Sequence, residues 1–346
     1  MTDSLPGKEN IYGIPPDSLR RLLSDMGEKP SKADFILSAL YRELKGGFYD
    51  MPFKKELSEK LSSRFFISLP ECIDLRTSDT ADKYLFGFSD GCTAEAVHMK
   101  HRYGNTVCVS SQSGCNMGCV FCASGRLKKQ RDLSAAEMVG QVLYIHKNGA
   151  PVSGISVMGI GEPLDNYEAL IPFIDIMKYQ NGLNIAPRHI TVSTCGLVPG
   201  IYALAQSGRR INLAVSLHAP DDALRERLMP VNKKYPVSQL IRAAKDYSSS
   251  LNRRVTVEYI MLDGINDSDE CALKLSELIK GSKLYVNMIR YNSGSGGELR
   301  CSSDERVLRF YDILKKQGIN VTVRMSMGAE ISGACGQLRA DRMREQ

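Results

Sequence analysis

The sequence lacks the apolar segments that mark membrane and secreted proteins. No apolar run approaches the ~18 residues that a transmembrane helix needs. The N-terminus, MTDSLPGKENIYG, contains no apolar stretch of the signal-peptide type. We therefore expect a cytoplasmic protein that makes no membrane contact.

The sequence also lacks internal repeats, low-complexity segments and a strong charge imbalance. Its 346 residues include 45 Lys and Arg against 39 Asp and Glu, a net charge of +6. Such a charge permits an anionic partner without requiring one. With 43% apolar and 24% charged residues, a mainly disordered chain is excluded. The length suggests about two domains, or one barrel with an addition.

The first 100 residues differ in pattern from the rest. Apolar residues recur at helical spacing over 17–26 and 32–44, and strand-like pieces follow at 83–88 and 94–99. We interpret residues 1–100 as an N-terminal helical accessory domain with connecting strands. Residues 101–346 then form the main domain.

Strands and helices alternate in the main domain. The predicted strands cover 106–111, 154–158, 189–194, 211–217, 255–261, 285–290 and 320–324. The predicted helices cover 135–147, 167–179, 197–206, 237–247, 267–279 and 304–317, two of them opened by the capping boxes Ser134-x-x-Glu137 and Ser302-x-x-Glu305. This alternation predicts an α/β fold with a parallel sheet, arranged as a partial (β/α) TIM-type barrel. A flat doubly wound sheet is the alternative.

Unusual residues gather where the predicted strands end, which is the functional side of such a barrel. The strongest signal is Cys115-Asn-Met-Gly-Cys119-Val-Phe-Cys122, directly after a strand. Three thiolates at this spacing can hold a four-iron cluster and leave one iron open for a substrate or cofactor. Gly114 and Gly118 allow the loop to turn tightly.

A structural zinc site is the alternative for this loop. Zinc prefers four ligands, often as two Cys-x2-Cys pairs, and the sequence contains no second pair. Cys108 or Cys335 could supply a fourth thiolate. Zinc is therefore disfavoured but stays open at this point.

Other strand ends carry groups suited to a nucleoside cofactor. Gly161 lets the backbone approach a ligand, and Glu162 could accept a hydrogen bond from an amine. Further candidates at later strand ends are Ser193, Ser216, Leu217, His218 and Asn292. Each polar residue taken alone could instead be a helix cap or a satisfied core residue, and for His218 this interpretation is favoured.

Seven ordered motifs together resemble the RlmN/Cfr family of radical S-adenosylmethionine RNA methyltransferases. They are Cys108-Val-Ser-Ser-Gln-Ser-Gly-Cys115, the cysteine loop, Met158-Gly-Ile-Gly-Glu-Pro163, Ser193-Thr-Cys-Gly196, Ser216-Leu-His-Ala219, Leu228-Met-Pro-Val-Asn232 and Ala334-Cys-Gly-Gln-Leu338. The resemblance covers nearly the whole chain. It implies a radical SAM barrel with a [4Fe-4S] cluster on Cys115, Cys119 and Cys122, and S-adenosylmethionine on the open iron. It also implies methylation of an adenine carbon in RNA.

The implied mechanism uses two S-adenosylmethionine molecules per turnover. Cys335 takes a methyl group from the first molecule, and a radical formed from the second removes a hydrogen atom from that methyl group. The carbon then joins the adenine ring and leaves RNA attached to Cys335. Cys108 attacks the sulfur and forms a transient disulfide with Cys335, which must afterwards be reduced. Glu95 matches the family's proposed proton acceptor.

The motifs disagree on which adenine carbon is methylated. Pro163 and the segment 193–196 resemble RlmN, which methylates carbon 2. The segment 286–292 resembles Cfr, which methylates carbon 8 and confers antibiotic resistance. We favour carbon 2.

The resemblance also implies partners. The expected substrates are an adenosine at the peptidyl-transferase centre of 23S rRNA and the adenosine 3′ of the anticodon in tRNA. The N-terminal domain and basic clusters, among them Lys128 and Lys129, are candidates for binding RNA. We expect an external electron donor such as flavodoxin or ferredoxin, and a monomer.

Three functions of other classes remain open. A radical S-adenosylmethionine enzyme acting on a small molecule would not need RNA or Cys335. A non-enzymatic RNA-binding module with structural zinc would be colourless. An iron–sulfur scaffold or redox sensor would not cleave S-adenosylmethionine.

Overall fold

The computed structural model describes residues 7–102, 104–126, 128–149, 151–292 and 299–324. Its helices are α1 (Pro16–Asp25), α2 (Lys32–Tyr41), α3 (Lys55–Arg64), α4 (Ala135–Asn148), α5 (Tyr167–Met177), α6 (Val198–Gln206), α7 (Asp222–Leu228), α8 (Val237–Leu251), α9 (Asp269–Ile279) and α10 (Asp304–Lys316). Its strands are β1 (Glu9–Asn10), β2 (Phe65–Phe66), β3 (Glu71–Thr77), β4 (Ala81–Gly87), β5 (Thr93–His101), β6 (Gly104–Cys108), β7 (Gln112–Ser113), β8 (Arg131–Asp132), β9 (Val152–Val157), β10 (Ile190–Thr194), β11 (Asn212–Ser216), β12 (Val255–Met261), β13 (Tyr285–Arg290) and β14 (Val321–Arg324). None of these helices is long and apolar enough to cross a membrane.

A ten-stranded sheet organises the molecule in the order β14-β13-β12-β11-β10-β9-β6-β5-β4-β3. The strands from β6 through β9 to β14 run parallel. The strands β3, β4, β5 and β6 are antiparallel neighbours. Each predicted parallel strand and each predicted helix of the main domain is present, so the α/β prediction is confirmed.

The sheet curves into a partial barrel. Seven inter-strand steps separate β14 from β5, which would span roughly 34 Å in a flat sheet at about 4.8 Å per step. Yet Arg324 at the end of β14 reaches the sulfur of Met99 in β5, with Nη2 and Sδ 3.7 Å apart. The flat doubly wound alternative is therefore excluded. In the described residues the edge strands β14 and β3 do not pair with each other.

The parallel strands present two different faces. In β10, Ile190 and Val192 are buried in the core beneath the helices, whereas Thr191 and Ser193 are only half-buried. In β11 the matching face carries Asn212, Ala214 and Ser216, of which Asn212 and Ser216 are half-buried and Ala214 is buried. Closed barrels fill their interior with bulky branched side chains. Here small and polar side chains occupy the corresponding face.

The N-terminal helices pack onto the barrel and share its hydrophobic core. Arg20 binds Asp34 at 2.7 Å and also the hydroxyl of Tyr179, which lies just after α5. The predicted domain boundary at residue 100 falls within β5, which pairs with β6 in one continuous sheet. The strand pairing therefore continues across the predicted boundary.

One of the two predicted helix caps is confirmed. The hydroxyl of Ser134 accepts from the Glu137 N–H, and the Glu137 carboxylate accepts from the Ser134 N–H. The prediction for α10 is wrong by one residue, because Ser303 makes the cap. Ser302 is buried, and its hydroxyl donates to Asp267 at 2.8 Å instead.

Candidate active site

The cysteine loop leaves the C-terminal side of β6 and is closed at its base by the antiparallel pair β7–β8. Gly114 and Gly118 have φ angles of 85° and 67°. Both values lie in the left-handed region that glycine adopts without strain. The tight turns predicted at these glycines are therefore confirmed.

Specific contacts hold the loop against the barrel. The Val120 N–H donates to the carbonyl of Leu228, at the end of α7, over 3.0 Å. The Lys129 ammonium lies 2.8 Å from Asp132 and 2.9 Å from Asp165. Lys129, which the sequence grouped with the RNA-binding candidates, is thus occupied in anchoring the loop.

The three loop cysteines form an electrostatically coupled group. Burial, together with the charge of Cys122, raises the pKa of Cys115 to about 11. Burial and the two neighbouring thiols also raise the pKa of Cys119 above its usual range. Thiolates in such a place need an adjacent cationic centre. The loop therefore fits a group that brings several positive ions.

The loop itself offers three thiols as ligands. Within the described ranges, no three His, Cys, Asp or Glu side chains lie close enough to hold a single metal ion. Three thiols of one loop, each half-buried, fit the corners of a multi-iron cluster.

Gly161 and Glu162 form a rigid turn after β9. Gly161 has a φ of 109°, and a Cβ atom there would lie 2.6 Å from the Gln112 side chain, so no larger residue fits. The Glu162 carboxylate accepts from the Cys195 N–H at 2.7 Å and the Leu164 N–H at 3.1 Å. Burial raises the pKa of Glu162, and these hydrogen bonds oppose the rise. Glu162 thus links the ends of β9 and β10. A cofactor amine would either donate a further hydrogen bond to this carboxylate or replace one of the two backbone donors.

His218 lies at the end of β11 against the cysteine loop. Its ring meets Phe121 edge to face, with centroids 4.7 Å apart. The Ile260 N–H donates to Nδ1 at 3.0 Å, and burial lowers the pKa of His218 to about 3. His218 is therefore neutral with its proton on Nε2. It stiffens the wall behind the loop.

The other predicted cofactor contacts lie at neighbouring strand ends. Ser193 and Ser216 are half-buried at the ends of β10 and β11, and Leu217 is fully buried beside Ser216. Asn292 is half-buried just after β13. These groups surround one mouth of the barrel, as predicted from their positions at strand ends.

Glu95 and Cys108 lie on neighbouring strands of the barrel wall. Cys108 in β6 is opposite Val97 in β5, two residues beyond Glu95 on the same face. The Glu95 carboxylate lies 3.0 Å from the Lys83 ammonium, and both side chains are fully buried. Burial raises the pKa of Cys108, whereas a hydrogen bond with Ser156 and the charge of Lys83 lower it.

Sequence reasoning missed two charged residues of this region. Lys83 follows an apparently exposed pattern in β4, and Arg225 lies in the strongly charged segment of α7. Both side chains are fully buried. The burial of Lys83 could have been inferred from its inward position in a strand. The burial of Arg225 depends on tertiary packing, which the sequence does not show. Cys335 lies outside the described residues.

Comparisons with known proteins agree with this architecture. Residues 109–275 match the family model described as "Radical SAM superfamily". The "Probable dual-specificity RNA methyltransferase RlmN" of Geobacillus kaustophilus (strain HTA426) is 45% identical over 350 residues, covering 99% of this chain and 96% of that protein. The protein of the same name from Bacillus subtilis (strain 168) is 40% identical over 345 residues, covering 98% and 95%.

A solved structure matches the whole fold. The crystal structure of a radical SAM methyltransferase from Sphaerobacter thermophilus superposes with a TM-score of 0.88 and 39% identity. The match covers 95% of this chain and 98% of that one. Because relatives this similar extend over nearly the full length, the chain belongs to the RlmN family of radical SAM methyltransferases, whose cofactors are a [4Fe-4S] cluster and S-adenosylmethionine.

Proposed function

We propose that this enzyme methylates carbon 2 of an adenosine in 23S rRNA and of the adenosine 3′ of the anticodon in tRNA, through an S-methylcysteine at Cys335. The observation that carries the proposal is the placement of Cys108 beside the buried Lys83–Glu95 pair in the barrel wall. The names of the relatives support an RNA substrate of more than one kind.

The bound cluster and two molecules of S-adenosylmethionine per turnover supply the methyl group and the radical that activates it. Cys115, Cys119 and Cys122 would each hold one iron. Gly161 and Glu162 would border the methionine part of the cofactor. The ribose and adenine would be bordered by the polar groups at the barrel mouth, which belong to Ser193, Ser216, His218 and Asn292. Leu217 would pack behind these groups.

Two residues of the wall complete the transfer. Glu95 would accept the proton that leaves the substituted ring carbon. Cys108 would attack the sulfur of Cys335, forming a disulfide bond while the bond from that sulfur to the product carbon breaks. An external donor such as flavodoxin or ferredoxin would supply the electrons for radical formation, and a reductant would return the disulfide to two thiols.

RNA would bind through the N-terminal domain (residues 1–100) and exposed cations. Lys128 is exposed beside the loop, whereas Lys129, Arg131 and Arg209 are engaged in ion pairs. Charge reversal at Lys128 should therefore weaken RNA binding more than the same change at a remote exposed lysine. Equal RNA affinities would remove Lys128 from the interface. We further propose a cytoplasmic location and a monomeric enzyme.

The test is nucleoside analysis after anaerobic reconstitution of the cluster. The enzyme is incubated with reductant, S-adenosylmethionine and either a 23S rRNA fragment or tRNA, and the digest is compared with both methyladenosine standards by mass spectrometry. 2-Methyladenosine from both RNAs is expected. 8-Methyladenosine would favour the Cfr-type alternative suggested by the segment 286–292. Cleavage of S-adenosylmethionine without either product would refute the RNA assignment.

A further inference from the structure

Arg225 in α7 is a fully buried cation beneath the active site. It is the largest of the fully buried side chains. Across the described ranges, no carboxylate forms an ion pair with it. A buried guanidinium normally requires a compensating negative charge. The hydrogen-bond partners of the Arg225 guanidinium therefore indicate its role.

The guanidinium ties together the ends of two strands. It donates to the carbonyl of Cys195 at 2.6 Å, beyond β10, and to the carbonyls of Ser216 and Leu217 at 3.1 and 3.2 Å, at the end of β11. A fourth bond goes to Oδ1 of Asn232 at 3.0 Å. The fork of one arginine thus fixes the turns that carry the predicted cofactor contacts.

The cysteine loop contacts the helix that carries this arginine. The loop rests on α7 through the bond from the Val120 N–H to the Leu228 carbonyl. Cys119, Cys195 and Leu228 belong to one packed cluster. Because the Arg225 guanidinium lies 2.6 Å from the Cys195 carbonyl, its charge is held close to this cluster. A four-iron cluster with three thiolates gains one negative charge when it is reduced. A fixed cation at this place favours the reduced form over the oxidised form.

We propose that Arg225 is a positioning residue of the cofactor site with two separable effects. Its hydrogen bonds fix the strand ends that receive S-adenosylmethionine, and its charge favours the one-electron-reduced state of the cluster. The proposal rests on the proposed assignment of Cys115, Cys119 and Cys122 as the cluster ligands.

Two substitutions separate charge from hydrogen bonding. Arg225→Gln keeps a donor but removes the charge, and Arg225→Lys keeps the charge but loses the fork. For Arg225→Gln, the ratio of reduced to oxidised cluster at a given potential should fall about tenfold, which is 59 mV for a one-electron couple. For Arg225→Lys this ratio should stay within about twofold, while the dissociation constant for S-adenosylmethionine rises about tenfold. The potential is measured by redox titration followed by electron paramagnetic resonance.

Arg309→Met is the matched control, because it removes one positive charge from an exposed arginine that pairs with Asp269. Its cluster potential and cofactor affinity should equal those of the unaltered enzyme. If Arg225→Gln does not fold, Asn232→Asp places a carboxylate on the same guanidinium, and the ratio should again fall.

The results that would overturn the role of Arg225 differ from those that would overturn the proposed function. An unchanged potential in a folded, iron-loaded Arg225→Gln variant would overturn the electrostatic effect. Unchanged cofactor affinity in Arg225→Lys would overturn the positioning effect. Iron and sulfide analysis of the unaltered enzyme tests the cluster itself, and a full cluster retained after replacement of Cys119 would instead refute the ligand assignment.

Discussion

Lys83 and Glu95 form an ion pair between the neighbouring strands β4 and β5, with Nζ and Oε2 3.0 Å apart and neither side chain exposed. Glu95 is opposite Leu85 in the strand register, so the pair joins diagonal positions of the antiparallel sheet. Each charge would be costly in this position without the other. The pair therefore fixes the side chain of the proposed proton acceptor in the barrel wall.

Breaking this pair should destabilise the enzyme strongly. Lys83→Met removes the cation that lies 3.0 Å from the buried Glu95 carboxylate, and we expect the free energy of unfolding to fall by about 3–5 kcal/mol. The double variant Lys83→Met/Glu95→Gln should recover most of that loss. The measurement is urea denaturation of the three proteins.

Lys100→Met is the control for this prediction. Lys100 lies on β5 and pairs with Asp82, but its side chain is 37% exposed. Its loss should cost only about 0–1 kcal/mol. Equal stabilities of the Lys83 and Lys100 variants would show that the buried pair does not matter for folding.

The sheet could be predicted from sequence because its strands alternate with amphipathic helices at regular intervals. The pairing of Lys83 with Glu95 could not, since it depends on the register between β4 and β5. Arg225 was hidden for a different reason. A charged helix predicts side chains that face solvent. The Arg225 side chain is buried only because it packs against the ends of β10 and β11.

Local sequence motifs predicted the turns of the cysteine loop, but they did not predict the side-chain contacts that hold the loop in place. The glycine turns at Gly114 and Gly118 were predictable because a loop that reverses within a few residues needs positive φ angles. Lys129 was named as a candidate for RNA binding because it belongs to a basic cluster. In the structure Lys129 pairs with the carboxylates of Asp132 and Asp165, which a basic run in the sequence does not reveal, and its share in RNA binding stays a prediction. The role of Cys335 stays a prediction.

Cys108→Ala should block product release. Without the attacking thiol, RNA would remain attached to Cys335, and free product should fall on the order of 10²-fold or more, as for loss of an essential nucleophile. The adduct is detected as a nuclease-sensitive band on a denaturing gel. Cys92→Ala, in the turn between β4 and β5, is the control and should release product normally. Full turnover by the Cys108 variant would refute its proposed role.

Gly161→Ala should disrupt the turn beside the cysteine loop. Its φ of 109° would cost a residue with a side chain about 1–3 kcal/mol. The new Cβ would also lie 2.6 Å from Gln112. We expect lower thermal stability and weaker S-adenosylmethionine binding, measured by calorimetry. Gly46→Ala meets no atom within 4 Å and should change stability by less than about 0.5 kcal/mol. Matching losses in both variants would contradict this account.

Asp90 should make stability dependent on pH in the acid range. The Arg131 guanidinium beside it holds the pKa of Asp90 down to about 2, below the ordinary value of 3.8. A carboxyl whose pKa is lower in the folded state stabilises that state above its unfolded pKa. That contribution is lost as the pH falls from about 4 towards 2. The melting temperature of Asp90→Asn should therefore lie below that of the unaltered enzyme near neutral pH.

The gap between the two melting temperatures should narrow as the pH is lowered to about 3, because the Asp90 carboxyl then takes up a proton more readily in the unfolded state than in the folded state. Since the Asp90 side chain is 43% exposed, added salt should narrow the gap in the same way by screening the pair. Scanning calorimetry across this pH range, at low and high salt, measures both effects. A gap that stays constant with pH and salt would mean that the bond from Arg131 to Asp90 acts through geometry and not through charge.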